Sequence, residues 1–357
     1  MTRISDNRPW VLYHAVSSYQ LLEVMLHRLT IHPRAHAMLL LPDFITGKYP
    51  RYTRLRRFFD RVALFPYQQI PHGSEAQILV DTDRFARRLL PEGPGVFSAI
   101  YVAGAHFYFS LYLLHNRIPF DMFEDAAGML SRADELYAAL AAKFPLHAAL
   151  ARQYGLLDGS HPGIRRVICL KRAQTRDVSG ERYVDFAVEE ALENLSAKQR
   201  NRVIRFFVRR QIRTGAEAIL LTQQFSNQGV LGEEEQRRLY AGLRDGPLRG
   251  VRLILKKHPD DPLSYETVFP EAEVIRTVFP AELLPYVFRK KPETVYTWSS
   301  TGCENLLGHF RICKLGGERH GGQTDAAGGR IGLSAADGGA SAAESPDAEC
   351  GGSAPDR

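Results

Sequence analysis

Two polar segments of this chain have residue types and spacing suited to chemistry. Lys256-Lys257-His258-Pro259 ends the apolar run Val251 to Leu255, and Thr297-Trp298-Ser299-Ser300-Thr301-Gly302 follows Thr294-Val295-Tyr296. Apolar runs of this length read as strands. Two strands of an α/β domain whose ends carry donors at one rim can hold a phosphate-bearing leaving group. A cationic or protonated His258 supplies one donor, and hydroxyls with free amides at a helix start supply the rest. Pro259 lacks an N–H and has a fixed φ, so it turns the chain out of the sheet and exposes His258 at the rim. The Ser299 to Gly302 segment also reads as a turn and helix N-cap. A helix start capped by hydroxyls is itself an anion site, so the two roles coexist.

A third segment, Phe120 to Gly128 (FDMFEDAAG), sets Glu124 and Asp125 side by side at the end of an apolar run. Neighbouring carboxylates raise one another's pKa, which suits a general base, and the small residues that follow leave room for a substrate. A turn with a helix cap accounts for the same residues equally well. Asp81-Thr82-Asp83 has the form of a metal-binding DxD, but a cap on a helix over Arg84 to Leu90 is the expectation, and no metal is expected.

The elements that must position these residues follow from the alternation of short apolar runs with amphipathic stretches. Strands are expected at Trp10 to His14, Ala37 to Leu41, Val62 to Phe65, Phe97 to Val102 and Ile118 to Phe123. Helices are expected over Ser17 to Leu29, Ala105 to Asn116 and Ser131 to Lys143, with serine N-caps at Ser17 or Ser18 and at Ser131. A second set runs from strand Ala218 to Thr222 through helix Gly232 to Leu243 to strands at Val251 to Leu255, Glu273 to Ile275 and Thr294 to Thr297. This is the pattern of two α/β units with parallel sheets. The expected division is residues 1–183 for an N-terminal Rossmann-like domain and 184–315 for a polar, helical connector (Val184 to Arg213) and a second domain. From Gly316 to 357 glycine and alanine dominate, and a disordered tail is expected.

The 357 residues suffice for two domains. No apolar run approaches the ~18 residues of a membrane span, and the N-terminus has no apolar core of a signal peptide, so a soluble cytoplasmic protein is expected. The four cysteines have no metal-ligand spacing. The net charge of +6 is mild, but arginines cluster with apolar residues in Tyr49 to Phe59 (YPRYTRLRRFF) and Asn201 to Arg213 (NRVIRFFVRRQIR). Such stretches read either as a surface that meets acidic polymer or lipid headgroups, or as solvated faces whose aromatics are core. Nucleic acid is not expected, because no recognised binding motif accompanies them.

The segments LTQQFSNQGVLGEEEQRRLY, LILKKHPDD, FPEAEVIRTVFPAELL and VYTWSSTG, with VLYHAVSSYQLLEVM near the start, resemble the bacterial sialyltransferases of glycosyltransferase family 52 and their polysialyltransferase-like relatives. The resemblance covers roughly residues 10 to 307. It implies a GT-B-like α/β fold, two Rossmann-like parallel-sheet domains facing a central cleft. It also implies an inverting, metal-independent transfer of sialic acid, or a related nonulosonic acid, from a CMP-linked donor. Glu124-Asp125 fits the family's acidic motif, His258-Pro259 its HP motif and Ser299-Ser300 its paired serines. Asn227-Gln228-Gly229 departs from an acidic pair often found after the LTQ strand, and the Gly/Ala tail replaces expected ordered elements.

The resemblance thus implies Glu124 or Asp125 as base and His258 as partner of the departing phosphate. Lys256, Pro259, Ser299, Ser300 and Thr301 would line the donor site, and Glu282 would accept from the ribose hydroxyls. Lys256 could instead be a solvated strand end. No cofactor is implied beyond the donor, CMP-sialic acid. The expected partners are a nucleotide-sugar donor, a glycan or glycolipid acceptor at the cell surface, a peripheral contact with the cytoplasmic membrane and a second copy in a homodimer. Two other readings stand beside this one: a CDP-glycerol or CDP-ribitol phosphotransferase, and a non-catalytic glycan-binding relic.

Overall fold

The computed structural model describes residues 8–70, 74–104, 108–124, 130, 133–169, 182–226, 230–298 and 301–316, with backbone alone at 139, 143, 301, 302 and 304. Asp125, Gly128, Ser131, Asn227-Gln228-Gly229, Ser299, Ser300 and everything past Gly316 lie outside the described residues.

The first unit is built from strands β1 (Trp10–His14), β2 (His36–Pro42), β3 (Arg61–Phe65), β4 (Phe97–Ala103), β5 (Phe120–Phe123), β6 (Ile164–Cys169) and β7 (Tyr183–Asp185). They form one parallel sheet in the order β3-β2-β1-β4-β5-β6-β7. The second unit has β8 (Ala218–Leu221), β9 (Leu253–Lys256), β10 (Glu273–Ile275), β11 (Thr294–Thr297) and β12 (Arg311–Lys314), parallel in the order β10-β9-β8-β11-β12. Each sheet reverses direction of winding beside its first strand. The crevice outside the strand ends at that reversal is where open α/β sheets bind ligands.

Helices α1 (Ser18–Thr30), α2 (Ile45–Lys48), α3 (Glu75–Leu89), α4 (Tyr108–His115), α5 (Ala133–Lys143) and α6 (Pro145–Gln153) belong to the first unit. Helices α7 (Val188–Asn194) and α8 (Ala197–Phe207) connect it to the second, which carries α9 (Glu233–Asp245) and α10 (Leu284–Val287). Ser17 starts α1 as expected. Its hydroxyl accepts from the Gln20 N–H at 3.2 Å while the Gln20 side chain accepts from the Ser17 N–H at 3.1 Å, so two donors without helical partners are satisfied at once.

Strand alternation divides the first unit's core between two faces: Val11, Tyr13 and Leu39 join one buried cluster, and Leu12, Met38 and Leu40 the other. The first of these clusters runs on through Val188 and Leu192 of α7 and Val203 and Phe207 of α8 to Ile219, Ile254, Leu283 and Val295 of the second unit. Connector and both sheets therefore share one apolar contact. The connector continues past α8 as extended chain, with Ile212 donating to Val287 at 2.7 Å.

Three expectations change. Asp81 and Asp83 do not cap a helix at Arg84, because α3 starts at Glu75 under a Ser74 cap and runs through both. Asp81 is buried mid-helix, paired with Arg84 at 2.6 Å and accepting from the Gln77 amide at 2.6 Å. The strand Tyr183–Asp185 straddles residue 184 and closes the first sheet against Cys169, so the connector's helices begin only at Val188. The described residues also include Gly316, the first of the expected tail. Its N–H donates to the Trp298 carbonyl at 2.8 Å, and a Cβ there would lie 2.5 Å from the indole, so only glycine fits.

Candidate functional site

At the rim of the second sheet, β9 ends in Lys256 and β11 in Thr297, with β8 between them. Two strand spacings of ~4.8 Å separate the HP segment from Thr297-Trp298 by roughly 10 Å, a span a nucleotide phosphate can bridge. The middle position is filled by Thr222, Gln223 and Gln224 after β8, all buried.

Thr222 and the HPDD loop itself fix His258. The His258 N–H donates to the Thr222 hydroxyl at 3.2 Å, its carbonyl accepts from the Asp261 N–H at 3.2 Å, and its Nδ1 accepts from the Asp260 N–H at 3.2 Å. An accepting Nδ1 leaves the ring proton on Nε2, which is therefore a donor. His258 is half-buried rather than exposed. Burial, with help from Lys256 and Lys48 and against the pull of Asp260, lowers its pKa to about 4. The expectation of a cationic His258 gives way to a neutral imidazole: at pH 7 it donates a hydrogen bond.

A buried polar network that sequence reasoning missed underlies this loop. The Asp261 carboxylate accepts from Tyr265 Oη at 2.6 Å, from the Gln236 amide at 3.0 Å and from the Leu263 N–H at 3.0 Å. The Gln236 amide also donates to the Gln223 carbonyl at 3.1 Å, and Tyr240 Oη accepts from the Gln223 N–H at 2.8 Å. A signal existed, since Gln236 occupies an apolar-face position of α9 at helical spacing from Tyr240 and Leu243. A buried amide must find partners, and these partners are the HPDD loop and the end of β8.

Lys256 is buried, which corrects its reading as a solvated strand end. Its ammonium lies 4.7 Å from the Phe279 ring centre, and burial pulls its pKa down to about 8 against the opposing charge of Glu282. Glu282 is 7% exposed and accepts from the Asn305 amide at 3.2 Å. Burial raises it to about 7; Asn305 and Lys256 hold it down while Glu189 adds to the rise. Pro259 is exposed at the turn, and Thr301 opens a 3₁₀ turn over Thr301–Leu306.

From the first unit, Glu124 follows β5 and is 0% exposed, its N–H donating to the Ile168 carbonyl at 2.9 Å. It shares a neighbourhood with Glu282. The half-buried Tyr19 phenol at the start of α1 is pushed well above its ordinary pKa by burial and then by the carboxylates of Glu23, Glu282, Glu189 and Glu124. The candidate carboxylates of both units therefore lie within electrostatic reach of one side chain. Glu23, buried in α1, is a member of this group that sequence reading missed. Among the described residues no three His, Cys, Asp or Glu side chains come together as metal ligands, and no helix is long and apolar enough to cross a membrane.

No family model matches the chain. An uncharacterized protein of Haemophilus influenzae is 32% identical over 91 residues, 26% of this chain; the chain spans 29% of the length of that curated relative. Among solved structures, a putative UDP-N-acetylglucosamine 2-epimerase from Listeria monocytogenes is similar with a TM-score of 0.50 and 13% identity, over 84% of this chain and 76% of that one. The Methanocaldococcus jannaschii UDP-GlcNAc 2-epimerase in complex with UDP-GlcNAc and UDP gives a TM-score of 0.50 and 11% identity, over 83% and 80%. At such identities the likeness is one of architecture, and together with the two parallel sheets it makes this a GT-B-like fold.

Proposed function

We propose that the protein is an inverting, metal-independent glycosyltransferase that moves sialic acid, or a related nonulosonic acid, from a CMP-linked donor to a cell-surface glycan or glycolipid. The observation that carries a nucleotide-sugar reading is the rim itself. A neutral His258 whose Nε2 carries the proton stands near buried Lys256, which in turn faces Glu282, at the strand ends where such folds bind nucleotides. The resemblance in the HP, paired-serine and acidic motifs supplies the finer choice of sugar and nucleotide.

In this reading the acceptor hydroxyl gives its proton to Glu124 or Asp125 as its oxygen bonds to the anomeric carbon. The bond from that carbon to the phosphate oxygen breaks with inversion, and the electron pair leaves with CMP. His258 Nε2–H donates a hydrogen bond to the phosphate oxygen that gains charge, and Lys256 opposes the same charge. Because Glu124 is buried, it serves only if the cleft brings the hydroxyl to it; otherwise the base is Asp125.

One observation favours a second reading: the two solved structures above are described as UDP-GlcNAc 2-epimerases. Both are tested by incubating the protein with CMP-, CDP- and UDP-linked sugars and following products by mass spectrometry. CMP release with sugar transfer supports the proposal. Release from CDP-glycerol or CDP-ribitol alone, or conversion of UDP-GlcNAc without an acceptor, replaces it. Glycan binding with no turnover of any donor marks a non-catalytic relic.

A further inference from the structure

The two arginine-rich stretches, more than 140 residues apart in sequence, are joined in the fold. Arg202 of α8 donates to the Arg57 carbonyl and sits 4.9 Å from the Phe58 ring centre, and Tyr49 packs against Phe206 and Phe207 with ring centres 5.7 Å apart in each case. Between them opens a groove of about 940 Å³. One wall is the α2 end through Arg51, another is the end of α8 with Arg209 and Arg210, and the third is the segment after β10 with Arg276. Five cations line it: Lys48, Arg51, Arg209, Arg210 and Arg276. No carboxylate lies among the lining residues. The floor is apolar, with half-buried Phe206, Ile212 and Val278 open to it.

We propose that this groove binds a saccharide bearing phosphate groups; that the saccharide is the acceptor rests on the transferase reading above. Charge sets the sign of the ligand, since the arginines converge from three walls without internal counter-charges. Lys48 and Arg276 have partners outside the groove, Asp260 at 2.5 Å and Glu266 at 3.7 Å, whereas Arg51, Arg209 and Arg210 are exposed. The geometry favours phosphate. A planar carboxylate is satisfied by one guanidinium fork, whereas a phosphate offers oxygens in several directions to cations on different walls. The shape favours a chain over a bilayer, because the aromatic floor is recessed between walls that a flat headgroup plane would not enter, while a sugar ring can lie on the Phe206 face. Position gives the groove its use. Lys48 lines it and reaches Asp260, two residues past His258, and Arg276-Thr277-Val278 leads to Phe279 beneath Lys256. A chain lying in the groove would point its end at the candidate site.

The test is equilibrium binding of the full chain, without donor, to a phosphorylated maltooligosaccharide and its unphosphorylated parent. The phosphorylated probe should bind about tenfold tighter or more, and weaken as salt is raised. The triple variant Arg51→Gln, Arg209→Gln, Arg210→Gln, altered only at exposed positions, should bind both probes alike. Equal binding of the two probes by the native protein, or unchanged preference in the variant, overturns the proposal. Binding to phosphatidylglycerol vesicles without preference for the phosphorylated probe reassigns the groove to a membrane surface. Since no turnover enters this measurement, its failure is distinct from a failure of the transferase reading, which shows only with donors.

Discussion

Lys48 of the first unit and Asp260 of the second meet at 2.5 Å, and the Asp260 N–H in turn donates to His258 Nδ1 at 3.2 Å. A single ion pair thus joins the opposite side of the cleft to the loop that presents the candidate imidazole. Both side chains are partly exposed, 26% and 20%, so the pair is worth little to global stability. Its effect should appear in geometry. Lys48→Met and Asp260→Asn are each expected to lower stability by ~1 kcal/mol or less in urea titrations. In a double-mutant cycle they should be coupled in turnover, because either change alone removes the same restraint on Asp260 beside His258. Independent, additive effects on turnover would show that the bridge does not position His258.

His258→Ala should reduce transfer by ~10²-fold or more. Its circular dichroism should stay native, because the loop is anchored by Asp261 rather than by the imidazole. Asp261→Ala should do both kinds of damage. It leaves Tyr265, Gln236 and the Leu263 N–H without their acceptor, a loss of about 1–3 kcal/mol or more by chemical denaturation. A stable Asp261→Ala protein would contradict the role of the buried network.

Acid should destabilise the protein below pH 6.5 through its buried histidines. In the unfolded chain histidines take up protons near pH 6.5, whereas burial lowers His14 and His27 to about 3 and His258 to about 4. Between these values the unfolded state holds more protons. The histidines' contribution to stability is therefore complete above pH 6.5 and falls as pH drops toward 4, by up to ~1.4 kcal/mol per pH unit for each. Urea titrations at pH 7, 6 and 5 should follow this slope, and His258→Asn should remove one proton's share. No fall by pH 5 would place these rings in contact with water.

Glu282 has the opposite sign. Burial raises it from 4.5 to about 7, so the folded state holds the extra proton and stability drains as pH climbs through that window. Glu282→Gln, which can still accept from Asn305, should remove this loss and stabilise the protein at pH 8 by on the order of 1–2 kcal/mol, less whatever Lys256 loses with its counter-charge. A large destabilisation at pH 8 would mean that the Lys256–Glu282 attraction outweighs the cost of burying the carboxylate.

Chelation should leave transfer unchanged, and Asp81→Asn should cost stability, about 1–2 kcal/mol, because Asp81 holds Arg84 and Gln77 inside α3. Loss of activity in EDTA with recovery in Mg²⁺ or Mn²⁺ would sink the metal-free reading.

Much of the fold was legible because its signals are local. Strands β1, β10 and β11 are legible to the residue in their apolar runs, and the start of α1 is legible as one of two serines, Ser17 or Ser18, between which the structure chooses Ser17. The paired units followed from alternation. Local signals mislead where the deciding residue lies further along the chain: Asp81-Thr82-Asp83 has the form of a cap, but Ser74, seven residues earlier, starts the helix.

The sequence by itself determined the candidate donor residues and the two strands, β9 and β11, that end beside them. Only the tertiary structure decided their state. Whether His258 is charged or neutral depends on how much water its surroundings exclude, and Lys256 became a buried amine only when Phe279 and Glu282 closed over it. The meeting of Lys48 with Asp260, 212 residues apart, and of two arginine stretches on one groove likewise depends on packing. Desolvation and long-range proximity are properties of the packed chain, and no window of sequence contains them.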